Sequence, residues 1–173
     1  MQENKPILVV GLGNPGAEYA RTRHNVGFMA VEYLAGDDAT WKSEHEAMTY
    51  HTFIYGYKVI FARPMTFMNL SGNAVGALAR FYKVPVENII VIHDDMDVKV
   101  GAVKEKVGGG SAGHNGIKSI DAAVGADYRR IRIGIGHPRD YNLQIDPADW
   151  VLGRIGDEQM PAIATAIKTI KLF

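Results

Sequence analysis

The chain has 173 residues, 47% hydrophobic and 22% charged, the composition of a globular protein with one sizeable core. Nineteen basic residues cancel nineteen acidic ones, so a nucleic-acid partner needs a local basic patch rather than an overall field. The absence of cysteine excludes disulfides, thiolate metal sites and cysteine nucleophiles, and no apolar run is long enough to span a bilayer.

The start MQENKPILVVG is polar before a short apolar run and lacks a signal-peptide pattern, so a cytoplasmic protein is expected. Ile7 to Val10 is a continuous apolar run stopped by Gly11, which predicts a strand buried on both faces. Val26, Met29, Ala30, Tyr33 and Leu34 recur at helical spacing, so a helix begins near Asn25 and ends at Gly36. MTYHTFIYGYKVIFA reads as two strands turning at Gly56. In LSGNAVGALARFYKV, residues Val75, Leu78, Ala79 and Tyr82 share a helical face, with Ser71 as the expected N-cap. Asn88 to His93 is a second buried strand, and GAVKEKV a more polar one near an edge. Ile117, Ile120 and Val124 mark another helix. In YRRIRIGIG, Ile131, Ile133 and Ile135 face one way, Arg130 and Arg132 the other. Met160, Ile163, Ile167 and Ile170 predict a last helix running almost to the chain end. No repeat or interdomain linker interrupts the alternation. The expected fold is a single α/β domain over residues 1–173, a twisted, mixed, mostly parallel sheet flanked by helices. A site is then expected in the loops after strands, at Gly11 to His24, His93 to Asp97 and Gly108 to Asn115.

The first of these loops opens with G-x-G-x-x-G, the spelling of a dinucleotide fingerprint. The spacing refuses it. The fingerprint's helix begins inside the glycines, whereas the apolar period here starts near Val26, and Asp37 and Asp38 follow a helix rather than a second strand. What remains is a long loop at the end of a central strand, carrying Asn14 early and His24 at a helix entrance. Other segments offer similar groups: HDDMD after NIIVI, Asn69 before a helix, and His114 with Asn115 before another. Four such segments converging on one sheet edge make a candidate active site.

His24 is the natural general base, since free imidazole titrates near pH ~6.5. Asp94, at a strand end, is the carboxylate best placed to fix its tautomer and stabilise the imidazolium. Asp95 and Asp97 are read as capping or solvated. Asn14, Asn69 and Asn115 are neutral donors suited to an oxyanion or to substrate carbonyls. HDDMD contains metal-ligating residue types, but neither H-E-x-x-H nor an EF-hand pattern is present, and no metal is expected. GGSAG matches the G-x-S-x-G nucleophile elbow, with Asp127 and His137 in suitable order, which makes a Ser111 esterase the rival enzyme. Against it stand a charged preceding strand and a run of three glycines. GGGSAGHNGIKS is not a P-loop, for Gly113 is followed by His114 rather than by Lys. Lys99, Lys104 and Lys106, with Arg129, Arg130, Arg132 and Arg139, are cations suited to phosphate. They also permit a non-catalytic RNA-binding module.

Taken together, GLGNPG, YARTRHNVG, FMNLSG, HDDMD, GGGSAGHNG and RIRIGIGHP, in this order from Gly11 to Pro138, closely resemble the bacterial-type peptidyl-tRNA hydrolase family. The resemblance implies a monomeric α/β enzyme with no metal, no cofactor and no obligate protein partner. It would hydrolyse the ester between a peptide and the terminal ribose of tRNA. By position, His24 takes the catalytic base, Asp94 the orienting acid, and Asn14 the amide assisting catalysis. Asn69 and Asn115 take substrate-positioning amides, and Met68, His114 and Tyr19 take cleft positions. Lys104 and Arg132 match the residues gripping the 5′-phosphate end of tRNA.

Overall fold

The computed structural model describes all of residues 1–173. The apolar run Ile7–Gly11 forms β1, and every residue of it is buried because it lies between parallel strands in the sheet interior. Its neighbours are β4 (Tyr57–Pro64) and β5 (Ile89–Asp95). Beyond β5 comes β7 (Arg129–Gly134), also parallel. The flanks are antiparallel: β3 (Ala47–Ile54) and β2 (Lys42–Glu44) beyond β4, and β6 (Val103–Val107) beyond β7. The seven-stranded order is therefore β2-β3-β4-β1-β5-β7-β6. β3 and β4 are joined at Tyr55-Gly56, both with positive φ, a turn whose twist matches that of the strands it joins.

Helices cover both faces. The alternate residues Ile7, Val9, Ile90, Ile92, Ile131 and Ile133 point into one apolar cluster with α1 (Val26–Ala35), α4 (Pro147–Val151) and α5 (Met160–Lys168). Leu8, Val10, Ile89 and Val91 point into the other, with α2 (Ser71–Tyr82) and α3 (Asn115–Val124). Each large aliphatic side chain buried this way contributes about 1.5–3 kcal/mol.

Several expectations shift on contact with the structure. Ser71 is the first residue of α2, not its cap; its Oγ donates to the Met68 carbonyl at 2.7 Å. The last helix stops at Lys168, where Thr169 Oγ1 donates back to the Ala166 carbonyl, although Ile170 remains buried. The short β2 and α4 carry too little periodicity to be read from sequence. Finally, β6 is antiparallel, so the segment after it starts at the edge of the sheet opposite the ends of β1 and β5.

The start of α1 rests on the C-terminal edge of the sheet. A Cβ at Gly27 would lie 2.4 Å from the Ile92 carbonyl oxygen and 2.5 Å from the Leu12 nitrogen. Both obstacles are backbone, so neither swings aside. Gly27→Ala is predicted to destabilise the fold by about 2–3 kcal/mol, measured by denaturant unfolding; wild-type stability would refute this close approach.

Candidate active site

The 3-10 turn Arg23–Asn25, at the end of the loop that follows β1, presents His24. Two contacts set this turn from elsewhere in the chain: Arg23 N–H donates to the Gly153 carbonyl, and Ile155 N–H to the Arg21 carbonyl. The Arg23 guanidinium stacks over Trp150, 3.5 Å from the ring centre, and donates to the Trp150 carbonyl. The loop bearing His24 is thus clasped by the segment around α4.

Asp94, near the end of β5, is 2% exposed and uses both carboxylate oxygens. His24 Nδ1 lies 2.8 Å from Oδ2, and His114 Nε2 2.8 Å from Oδ1. The tautomers follow from the partners. His114 is the N-cap of α3, and its Nδ1 accepts from the Gly116 and Ile117 N–H groups, so the proton on Nε2 faces Asp94. His24 donates through Nδ1, which leaves its Nε2 lone pair free. Burial alone would lower the His24 pKa, but the charge and hydrogen bond of Asp94 outweigh it and raise the pKa above the ordinary value. For Asp94, burial pushes upward, but the two imidazoles more than compensate, and the carboxyl stays ionised well below its usual range. His93 is different. Burial, then the nearby His114, push it down to about 3; its Nδ1 donates to the Asp94 backbone carbonyl, and its ring packs edge-on to His114 at 5.0 Å.

His24, Asp94 and His114 line a cavity of about 330 Å³, together with Met96, Ser111 and Val151. A second cavity, of about 300 Å³, is lined by Asn14, Asn25, Phe28 and Met65. The turn Arg23–Asn25 gives one residue to each. Asn25 clamps Asn14: its Oδ1 accepts the Asn14 N–H and its Nδ2 donates to the Asn14 carbonyl, both at 2.9 Å. The Asn14 Oδ1 accepts the Met68 N–H at 2.7 Å. A backbone N–H can only donate, so the amide is fixed with Nδ2 as its free, donating end.

The remaining predicted residues are spread around this centre. Met68 is buried and acts through its backbone. Asn115, the exposed first residue of α3, lines the first cavity. Asn69 is exposed and lines neither. Tyr19 is half-buried and packs edge-on to Phe67 at 6.5 Å, beside the loop residues lining the second cavity. Lys104 and Arg132 face one another across β6 and β7, with Arg132 3.5 Å from Asp95.

Not every expected cation is available. Arg129 pairs with Glu105 and donates to the Lys171 and Leu172 carbonyls. Arg130 is 1% exposed, with its guanidinium donating to backbone carbonyls. Both are consumed structurally, because a fork of donors is the cheapest way to satisfy carbonyls that no strand pairs. Ser111 lines the cavity but has no histidine partner, and His137 instead caps the short turn Pro138–Tyr141. The elbow reading therefore lacks its base. His24, Asp94 and His114 place potential metal ligands within 4.8 Å of one another. Within this set His24 Nδ1 and His114 Nε2 are both engaged with the Asp94 carboxylate. Asn25 and His93 are site residues that the sequence does not single out; by spacing Asn25 marks only a helix start.

Nearly the whole chain resembles known proteins. A sequence profile described as peptidyl-tRNA hydrolase matches residues 8–172. A peptidyl-tRNA hydrolase of Rickettsia bellii is 46% identical over 167 residues, 95% of this chain and 89% of the relative. One of Rhodospirillum centenum is 53% identical over 133 residues, 76% of this chain and 59% of the relative. The crystal structure of peptidyl-tRNA hydrolase from Acinetobacter baumannii superposes with a TM-score of 0.88 at 38% identity, covering 97% of this chain and 86% of that one. The chain belongs to the peptidyl-tRNA hydrolase family.

Proposed function

We propose that this protein hydrolyses the ester joining a peptide to the terminal ribose of tRNA, with His24 as the general base. The observation that carries the proposal is the Asp94 carboxylate, which accepts from both imidazoles and so leaves one imidazole nitrogen of His24 unprotonated in the cleft. A binding module has no need of such a poised base. A water held at His24 Nε2 gives up a proton as its oxygen attacks the acyl carbon. The charge that develops on the carbonyl oxygen is met by the Asn14 Nδ2–H. The bond to the ribose oxygen then breaks, and the imidazolium returns its proton to that oxygen. Asp94 lowers the cost of the intervening positive charge. Alcohol-type leaving groups depart readily, so water suffices as nucleophile.

A scissile ester placed at the turn Arg23–Asn25 has a cavity on each side, room for an acyl group and for a ribose. Asn115, His114, Tyr19 and Asn69 are assigned to contacts with substrate around the two cavities, and Met68 to holding Asn14. Lys104 and Arg132 are assigned to tRNA phosphate. A monomer at work in the cytoplasm completes the proposal. N-acetyl-aminoacyl-tRNA should be cleaved and unblocked aminoacyl-tRNA spared, because neutral amides do not offset the desolvation of a free ammonium.

Mutant kinetics and the pH profile test this. Replacing His24 by Ala should lower kcat by ~10²–10⁴-fold on the blocked ester without unfolding the protein. In the wild type, kcat/KM should rise with pH through a midpoint above the ordinary imidazole value of 6.5, because the base works only when unprotonated and its pKa is raised. Asp94→Asn removes the raising charge, so the midpoint should fall while kcat drops; a midpoint that stays put means Asp94 does not act on the base. Asn14→Asp keeps the acceptor for the Met68 N–H but removes the donor, and should cost about 10²–10³-fold in kcat if this amide meets the oxyanion. Lys104→Ala or Arg132→Ala should raise KM more than it lowers kcat, and reduce the salt slope of tRNA binding by about 1; an unchanged slope would remove that residue from the phosphate contact.

A further inference from the structure

The segment from Gly108 to His114 has a geometric problem. It leaves β6 at Val107, which pairs with Arg129 at the start of β7, and it must reach His114, which bonds Asp94 near the end of β5. In register, Arg129 lies opposite Ile90 and Ile133 opposite Asp94, so the segment travels most of a strand's length with no helix or strand of its own. Backbone that crosses a sheet in this way leaves carbonyls unpaired.

We propose that Arg130 is the positioning residue that solves this problem, holding the segment, and through it His114 and Asp94, in working geometry. The inference rests on the proposal that His24 is the base. Arg130 Nη1 donates to the Gly110 carbonyl at 2.9 Å. Its Nη2 lies 3.2 Å from the Gly109 carbonyl, the Ala126 carbonyl and Asp121 Oδ1. The guanidinium also stacks on Tyr128, 4.7 Å from the ring centre, and the Tyr128 hydroxyl donates to the same Asp121 oxygen. Lys106 reaches the Gly110 carbonyl from the neighbouring strand. One planar fork therefore ties together the end of the β6 segment and the end of α3, the element whose first turn His114 caps.

From that anchor only Ser111, Ala112 and Gly113 separate Gly110 from His114, and they leave little slack. Ala112 and Gly113 both have positive φ, at 50° and 82°, and His114 N–H donates to the Ser111 carbonyl. All three residues line the cavity beside His24. A shift at Gly110 is therefore passed to the His114 ring, which holds one of the two Asp94 oxygens. Charge alone does not do this work. A lysine would keep the cation but meets the carbonyls from a single nitrogen, without the fork.

The test compares Arg130→Lys and Asp121→Asn with the wild type and with His24→Ala. Kinetics on N-acetyl-aminoacyl-tRNA are read beside the nitrogen-bound proton signal of His114 in NMR. Arg130→Lys is expected to lower kcat about 10-fold with KM within about 3-fold, the size of loss a small misplacement of reacting groups gives, and to broaden or shift the His114 signal. Asp121→Asn, which loosens one arm of the fork, is expected to give a smaller loss in the same direction. A role confined to stability would lower the melting temperature and leave kcat and the His114 signal of the folded protein untouched, and that result overturns the proposal. If Arg130→Lys does not fold, Asp121→Asn decides in the same way. A fully active His24→Ala overturns the base itself, which is a distinguishable failure.

Discussion

A buried carboxylate shared by two imidazoles is the constraint on which the site depends. Removing Asp94 from water is costly, and the structure offsets that cost only by giving each oxygen its own N–H donor. The two donors arrive from opposite directions in the chain, His24 after β1 and His114 before α3. Either alone would leave one oxygen wanting. The requirement therefore fixes the loop after β1 and the start of α3 relative to β5, and it fixes both imidazole tautomers as well. His93, kept neutral by burial, fills the space beside His114 without competing for the carboxylate.

The sheet makes this meeting possible. β1 and β5 are neighbours and parallel, so the segments leaving them emerge on one edge, where open α/β sheets gather their ligands. Residue Gly27 allows α1 to close on that edge, and the clasp of Arg23 on Trp150 brings the far part of the chain to support it. Rigid elements thus deliver groups that would be imprecise on free loops. The exception is the segment after β6, which starts at the wrong edge and needs Arg130 to bring it across.

Much of this was legible in the sequence, and the reason differs by residue. β1, β5, α1 and α3 announce themselves by apolar runs and periods. His24 is legible because it closes a long glycine-containing loop at a helix entrance, and Asp94 because it ends an apolar strand. Asn25 was not legible: an asparagine before a helix reads as a boundary, and its grip on Asn14 depends on a loop closure that spacing does not specify. Arg130 misled for a related reason. Alternation correctly put it on the face opposite Ile131, but which face of an edge-proximal strand is covered depends on the path of the following segment. That path turns on β6 being antiparallel, which composition does not reveal. Asn69 is the converse case, a residue whose motif neighbours are structural while its own side chain stands exposed.

The last element of the design is polarity at Asn14. A carboxamide is both donor and acceptor, and an oxyanion is served only by the donor end. The chain decides between them without any charged group. The Met68 N–H, delivered by the segment after β4, occupies the oxygen, and Asn25 holds the backbone so that the side chain has one direction in which to point. In the proposed mechanism, a lysine in this place would stabilise the oxyanion but would also raise the cost of the His24 imidazolium, since like charges repel strongly where water is partly excluded. A neutral donor with a fixed orientation avoids that conflict. In the proposed mechanism it also leaves Asp94 to act on the base alone, so that the imidazolium and the oxyanion are stabilised by separate groups.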